Sequence, residues 1–265
     1  MLDFSLNKYY TINDLVNIMQ ILRSENGCPW DKEQTHSSIR NNFIEEVYEV
    51  IEAIDTENTE LLREELGDVL LQVIFHAQME AEKDSFTFND VVDELCHKLI
   101  IRHPHVFGEI EVDNTEQVLT NWENIKNEVK GTKSYTETLR NVPDVLPALM
   151  KAEKIGKRVG KASMDFENVD TAFSALRGEV DELDNAIHSG QEDQILDELG
   201  DVLFSCVNVA RKLGLNSEEA LSKACNKFID RFESVENLTR LDGIDMKSLS
   251  IDVLDAYWHK AKDKI

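Results

Sequence analysis

Four acidic residues stand at two short spacings, Glu46/Glu49 and Glu65/Asp68, and the same types return 133 positions later as Glu179/Glu182 and Glu198/Asp201. Residues three apart on an α-helix are separated by about 60° around the axis and one turn along it. Each pair therefore shares one side of its helix, and two such helices packed antiparallel bring four carboxylates to the edge of a core. Unpaired carboxylates at close quarters repel and raise one another's pKa, a penalty that a divalent cation removes. An all-oxygen set without His or Cys suits Mg²⁺, with Mn²⁺ as a substitute, rather than zinc. A solvated acidic face is the bland explanation of Glu-rich helices. Solvation fixes residue class and not position, so the recurrence of all four positions favours the metal.

Two further pairs supply the opposite charge. Lys98/Arg102 and Lys227/Arg231 are i, i+4 pairs, and each projects two cations from one helix face. In a chain of net charge −24, such recurrent pairs point to phosphate recognition, with Arg able to bind bidentately. Salt bridges to neighbouring Glu are the competing explanation. Trp122 and Trp258 are each followed four residues later by a lysine, Lys126 and Lys262. These rings offer a stacking face beside another cation, although a large aromatic also suits a core. With the metal cluster, the set fits a polyphosphate carrying a flat base: a nucleotide.

The elements that must position these groups occur twice. The hexapeptide ELGDVL occupies residues 65–70 and 198–203, KLIIR (98–102) returns as KFIDR (227–231), and WENIK (122–126) returns as WHKAK (258–262). Such ordered recurrence marks a tandem duplication. Apolar residues at Leu62, Leu66, Val69, Leu70, Val73 and Ala77 follow the helical rhythm, as do Ile39, Phe43, Val47, Val50, Ile51 and Ile54. Thr11 with Asp14, and Asn216 with Glu219, read as helix N-termini. Short polar loops predict antiparallel neighbours. The expected fold is all-α: tandem duplicated helical bundles over residues 1–130 and 148–265, joined by a linker at 131–147 where Gly131, Pro143 and Pro147 interrupt the helical pattern. Gly67 and Gly200 each precede the Asp of the repeat. Mid-helix glycine costs about 1 kcal/mol against alanine, so close helix packing or backbone contact with a ligand is expected there.

Composition narrows the function classes. The 52 acidic against 28 basic residues disfavour nucleic acid and anionic membranes as partners. The four cysteines, Cys28, Cys96, Cys206 and Cys225, form no CxxC pair, so reduced, partly buried thiols are expected. The N-terminal residues lack a basic region followed by an apolar run, and no stretch approaches the roughly 18 apolar residues of a membrane span. A cytoplasmic location is expected.

The pattern EExxE, a gap, then ExxD is met by Glu45, Glu46, Glu49, Glu65 and Asp68. Together with GCPWDKEQTH, RHPHVFGE and the tandem plan, it closely resembles the two-domain MazG nucleoside triphosphate pyrophosphohydrolases over nearly the whole chain. The resemblance implies an all-α homodimer that requires Mg²⁺ and hydrolyses NTPs and dNTPs to NMP and pyrophosphate. It implies metal ligation by Glu46, Glu49, Glu65 and Asp68 and by Glu179, Glu182, Glu198 and Asp201. It also implies nucleotide contacts from Lys227, Arg231, Trp258 and Lys262, and from Lys98, Arg102, Trp122 and Lys126 in the first half. One departure stands out: Gly178 occupies the position matching Glu45, so a carboxylate that supports the ligands or orients water is missing from the second copy. CPWD and HPH occur only once and could shape a first-half ligand site or a domain contact; for the histidines, His103 and His105, a structural or hydrogen-bonding role is expected. Divergence of matched duplicates in role favours the second half as the working site. There Glu179, Glu182, Glu198 and Asp201 would hold the metal, while Lys227 and Arg231 stabilise the leaving pyrophosphate. A non-catalytic nucleotide sensor is the alternative reading; it would bind NTP and leave it intact.

Overall fold

The computed structural model describes residues 6–115, 117–118, 120–122, 125 and 134–262. It is all-α, with no strand among the described residues. The chain divides into two compact units, Met1–Lys130 and Gly131–Ile265.

The first unit runs through α1 (Ile12–Arg23), α2 (Pro29–Glu33), α3 (Arg40–Asp55), α4 (Thr59–Ala81), α5 (Phe88–Arg102) and α6 (Pro104–Phe107). Thr11 and Asp14 close the expected capping box at the start of α1. The three-residue connection 56–58 folds α4 back along α3, and α1 packs on α4. Met19, Ile39, Ile74, Phe75 and Met79 form the core between them. Burying these side chains contributes roughly 1.5–3 kcal/mol each. The Arg23 guanidinium lies 5.2 Å from the Phe75 ring centre and pairs with Glu82 at 2.7 Å. It also donates to the Asp31 and Gln34 carbonyls, while the Cys28 amide donates to Leu22 O at 2.7 Å. CPWD thus anchors α2 to the end of α1.

The second unit comprises α7 (Tyr135–Arg140), α8 (Ala148–Lys161), α9 (Val169–Ser189), α10 (Glu192–Lys212), α11 (Ser217–Leu241), a 3₁₀ turn at Met246–Ser248, and α12 (Ile251–Lys262). Helices α9 and α10 repeat the α3/α4 pair, α8 packs on α10, and α12 packs on α11. A Cβ on Gly156 would lie 2.9 Å from both Arg211 Nε and Asn208 Oδ1, so glycine is what lets α8 approach α10. Asp165, held by Arg211 and Lys212, ties the α8–α9 connection to the same helix. Asn216 caps α11 by accepting from the Glu218 and Glu219 amides. Helix α7 falls inside the segment read as linker; it packs on α8, and Arg158 donates to the Thr138 carbonyl.

Three expectations need correction. The apolar stripe of α3 is only partly covered: Ile39 is buried, but Val47, Ile51 and Ile54 are 41%, 43% and 55% exposed. Helix α4 is the principal partner of α3, and one neighbour covers one flank. The cysteines are free, as expected, but only Cys28 is half-buried; Cys96, Cys206 and Cys225 are exposed on α5, α10 and α11. Close helix packing at the repeated glycines is absent, since a Cβ on Gly67 or Gly200 would meet nothing within 4 Å. Among the described residues no helix is long and apolar enough to cross a membrane.

Candidate functional site

Each unit gathers carboxylates across its main helix pair. In the first, Glu46 and Glu49 on α3 and Glu65 on α4 each offer an oxygen within 4.8 Å of the others. In the second, Glu179 and Glu182 on α9 meet Glu198 on α10 within the same limit. Asp68 and Asp201 stand outside these tight triplets. They are near enough, however, that their charges help raise Glu46 and Glu179 respectively.

The electrostatics are those of unneutralised negative charge. Desolvation, then Asp68 and Glu49, lifts the Glu46 carboxyl above its ordinary value. Desolvation followed by Glu49 and Asp68 does the same to Glu65. Burial is again the leading cause for Glu179 and Glu198, reinforced by their acidic neighbours. Glu65 is only 7% exposed, and its Oε2 has no hydrogen-bond partner. A buried carboxylate oxygen left without a donor is costly, a cost that a bound cation would relieve. Hard oxygen donors converging at this spacing fit Mg²⁺ or Mn²⁺, and among the described residues no thiol or imidazole joins them.

The cation and ring positions assemble separately in the two units. Lys98 is exposed on α5, and Arg102 ends that helix with its guanidinium 5.4 Å from the Trp122 ring centre. His103 meets the same ring edge-on at 4.7 Å and bonds the Leu99 carbonyl, while His105 Nδ1 is buried without a partner. Lys126 lies outside the described residues. In the second unit, Trp258 on α12 packs 4.9 Å from Phe228 on α11. Phe228 and Arg231 are three residues apart, so Arg231 shares the ring's side of α11. Lys227 and Lys262 are exposed, and the half-buried Arg231 leaves its Nε without a partner. Among the described residues no ion pair engages Lys98, Arg102, Lys227 or Arg231, which removes the salt-bridge explanation within them. Nor does any hydrogen bond join these cations to the carboxylate triplets there.

Sequence reasoning missed a polar continuation of the α4 row. Gln72, four residues after Asp68, is buried and donates from Nε2 to Glu46 Oε1 at 3.5 Å. Further along, His76 Nδ1 lies 2.7 Å from His36 Nδ1, and His36 Nε2 lies 2.7 Å from Glu80 Oε1. The signal was present: Glu65, Asp68, Gln72 and His76 follow the i, i+3, i+7, i+11 spacing of one helix face.

Comparison with known proteins agrees with this architecture. The family model described as "MazG nucleotide pyrophosphohydrolase domain" matches twice, at residues 34–107 and 167–236. Each match spans one carboxylate cluster. The chain is 43% identical over 249 residues to a protein of Thermotoga maritima named nucleoside triphosphate pyrophosphohydrolase/pyrophosphatase MazG, covering 94% of each chain. It is 42% identical over 254 residues to the nucleoside triphosphate pyrophosphohydrolase of Escherichia coli K12, covering 95% of this chain and 97% of that one. An uncharacterised Bacillus subtilis protein, YabN, is 41% identical over 96% of this chain and 52% of its own length. Two family domains, each built around a converging carboxylate triplet, place the chain in the MazG nucleotide pyrophosphohydrolase family.

Proposed function

We propose that the protein hydrolyses nucleoside triphosphates, ribo- or deoxyribo-, to nucleoside monophosphate and pyrophosphate with Mg²⁺ as cofactor. The observation that carries this reading is the doubled carboxylate cluster, with the unpartnered buried oxygen of Glu65 in the first copy. Family membership and the names of the relatives support the substrate class.

Glu46, Glu49, Glu65 and Asp68 would hold metal in the first unit, and Glu179, Glu182, Glu198 and Asp201 in the second. The bound ion supplies neutralisation of triphosphate charge and a water nucleophile at neutral pH. The second unit is the proposed working site. Arg231 keeps a free buried donor there, and with Lys227 it stabilises charge on the departing pyrophosphate. Trp258, set against Phe228, offers a face for the base, and Lys262 follows it on α12. In the first unit Arg102 already lies over the Trp122 ring, and His103 packs against that ring in a T-shaped contact. This arrangement favours binding over turnover for Lys98, Arg102, Trp122 and Lys126.

Assembly as a homodimer belongs to the same reading. Helices α3, α9, α10 and α11 leave Ile44, Tyr48, Val180, Leu203, Phe228 and Phe232 between 46% and 58% exposed. Apolar surface on this scale is covered in solution by a partner. A mass twice 30.3 kDa by light scattering is expected. Incubation with Mg²⁺ and an NTP should release NMP and pyrophosphate in equal amounts; NDP and orthophosphate as primary products would refute the assigned cleavage. Intact NTP bound without turnover would favour the sensor.

A further inference from the structure

The two carboxylate clusters are alike in their acids and differ in what stands behind them. Gln72 sits four residues beyond Asp68 on α4, on the same face as Glu65 and Asp68. It is 7% exposed, its Nε2 donates to Glu46 Oε1 at 3.5 Å, and its own Oε1 is buried without a partner. The position that matches it in the second unit is Ser205, also buried. A hydroxymethyl group lacks both the reach and the second polar atom of a carboxamide. Burying a carboxamide with one atom unsatisfied is unfavourable, so packing alone would have selected an apolar residue of the same length. A donor turned onto one carboxylate, with a free acceptor beside it, is an arrangement for orienting a ligand set.

We propose that Gln72 is a positioning residue of the first cluster, holding the Glu46 carboxylate in its metal-binding orientation, and that the Gln72/Ser205 difference makes the first site the tighter cation site. Both statements about metal rest on the metal-site reading above; the hold of Gln72 on Glu46 in the metal-free protein does not. Gln72 Nε2 holds one oxygen of Glu46, which limits the rotation of that carboxylate beside Glu49 and Glu65. The free Gln72 Oε1 is the acceptor available to a donor that arrives with the ion, such as a coordinated water. Groups that orient ligands in this way are worth about 10–100-fold in metal affinity.

The experiment uses the full chain carrying Asp201→Asn, which weakens the second site so that the first is read. Gln72→Met keeps the length and unbranched shape of the side chain and removes both polar atoms. Mn²⁺ binding followed by electron paramagnetic resonance should weaken at least about tenfold in Gln72→Met, with an unchanged circular dichroism spectrum and a melting temperature no lower than the parent's. Unchanged Mn²⁺ affinity would overturn the role in metal binding. In a second arm without metal, the Gln72 side-chain amide signal is identified by its loss in Gln72→Met and followed in Glu46→Gln. A shifted amide signal is expected; an unmoved one would overturn the contact itself. A parent that binds no Mn²⁺ would defeat the metal-site reading and with it the affinity difference, while the metal-free arm would still decide whether Gln72 holds Glu46.

Discussion

Acidification should separate the two sides of the carboxylate clusters: repulsion without metal and ligation with it. Glu46, Glu65, Glu179 and Glu198 all have folded-state pKa values raised above the ordinary 4.5. Between 4.5 and those raised values the folded protein binds more protons than the unfolded chain, so stability falls as pH rises through the window. The metal-free protein should therefore gain stability as pH drops from neutral toward 4.5. Metal binding has the opposite dependence, since the ligands must be deprotonated. At a free Mg²⁺ concentration 100 times Kd, a site stabilises its unit by about 2.7 kcal/mol. Each unit is close to half the chain, for which an unfolding entropy of about 0.27 kcal/mol/K converts that to a rise in Tm of about 10 °C. Scanning calorimetry at pH 7.5 and pH 5, with and without Mg²⁺, reads both effects. The expected result is a large Mg²⁺ shift at pH 7.5 that is smaller at pH 5. Equal Mg²⁺ shifts at the two pH values, or none at either, would refute the reasoning.

Below 4.5 a different group takes over. Glu80 is held down to about 2 by hydrogen bonds from Lys83 and then His36. Its contribution is present above 4.5 and lost as pH falls through its folded value, so Glu80→Gln should flatten the acid limb of a stability–pH curve; an unchanged limb would exclude this network. Asp201→Asn should remove most hydrolytic activity while Asp68→Asn retains a substantial fraction, as steady-state rates would show; the reverse pattern would move the working site to the first unit. Lys227→Ala and Arg231→Ala should each weaken triphosphate turnover by roughly tenfold or more, the scale of one lost charge-assisted hydrogen bond, with circular dichroism unchanged. Unaltered kinetics in both would return them to the solvated surface.

The helices and their pairing were legible because the apolar rhythm and the caps at Thr11 and Asn216 act locally. Periodicity shows that Val47, Ile51 and Ile54 form a stripe and not what covers it, so their exposure emerged only with the fold. That Glu46 and Glu49 share one side of α3, and Glu65 and Asp68 one side of α4, followed from helix spacing; their convergence rested on the expected antiparallel pairing. That Asp68 and Asp201 stand apart from the triplets depends on the separation of two helices, which spacing does not encode. The meeting of Arg102 with Trp122, and of Trp258 with Phe228, joins segments distant in sequence. Gln72 was hidden by its type: a glutamine in an acidic helix draws no attention until its amide is seen against Glu46.

The central claim is that the two clusters, acting through bound metal, carry the hydrolysis. The double variant Asp68→Asn/Asp201→Asn deletes one carboxylate charge from each with little change in volume. Its rate of Mg²⁺-dependent pyrophosphate release from NTP, measured on folded protein, should fall to background. A rate close to that of the unsubstituted protein would contradict the account.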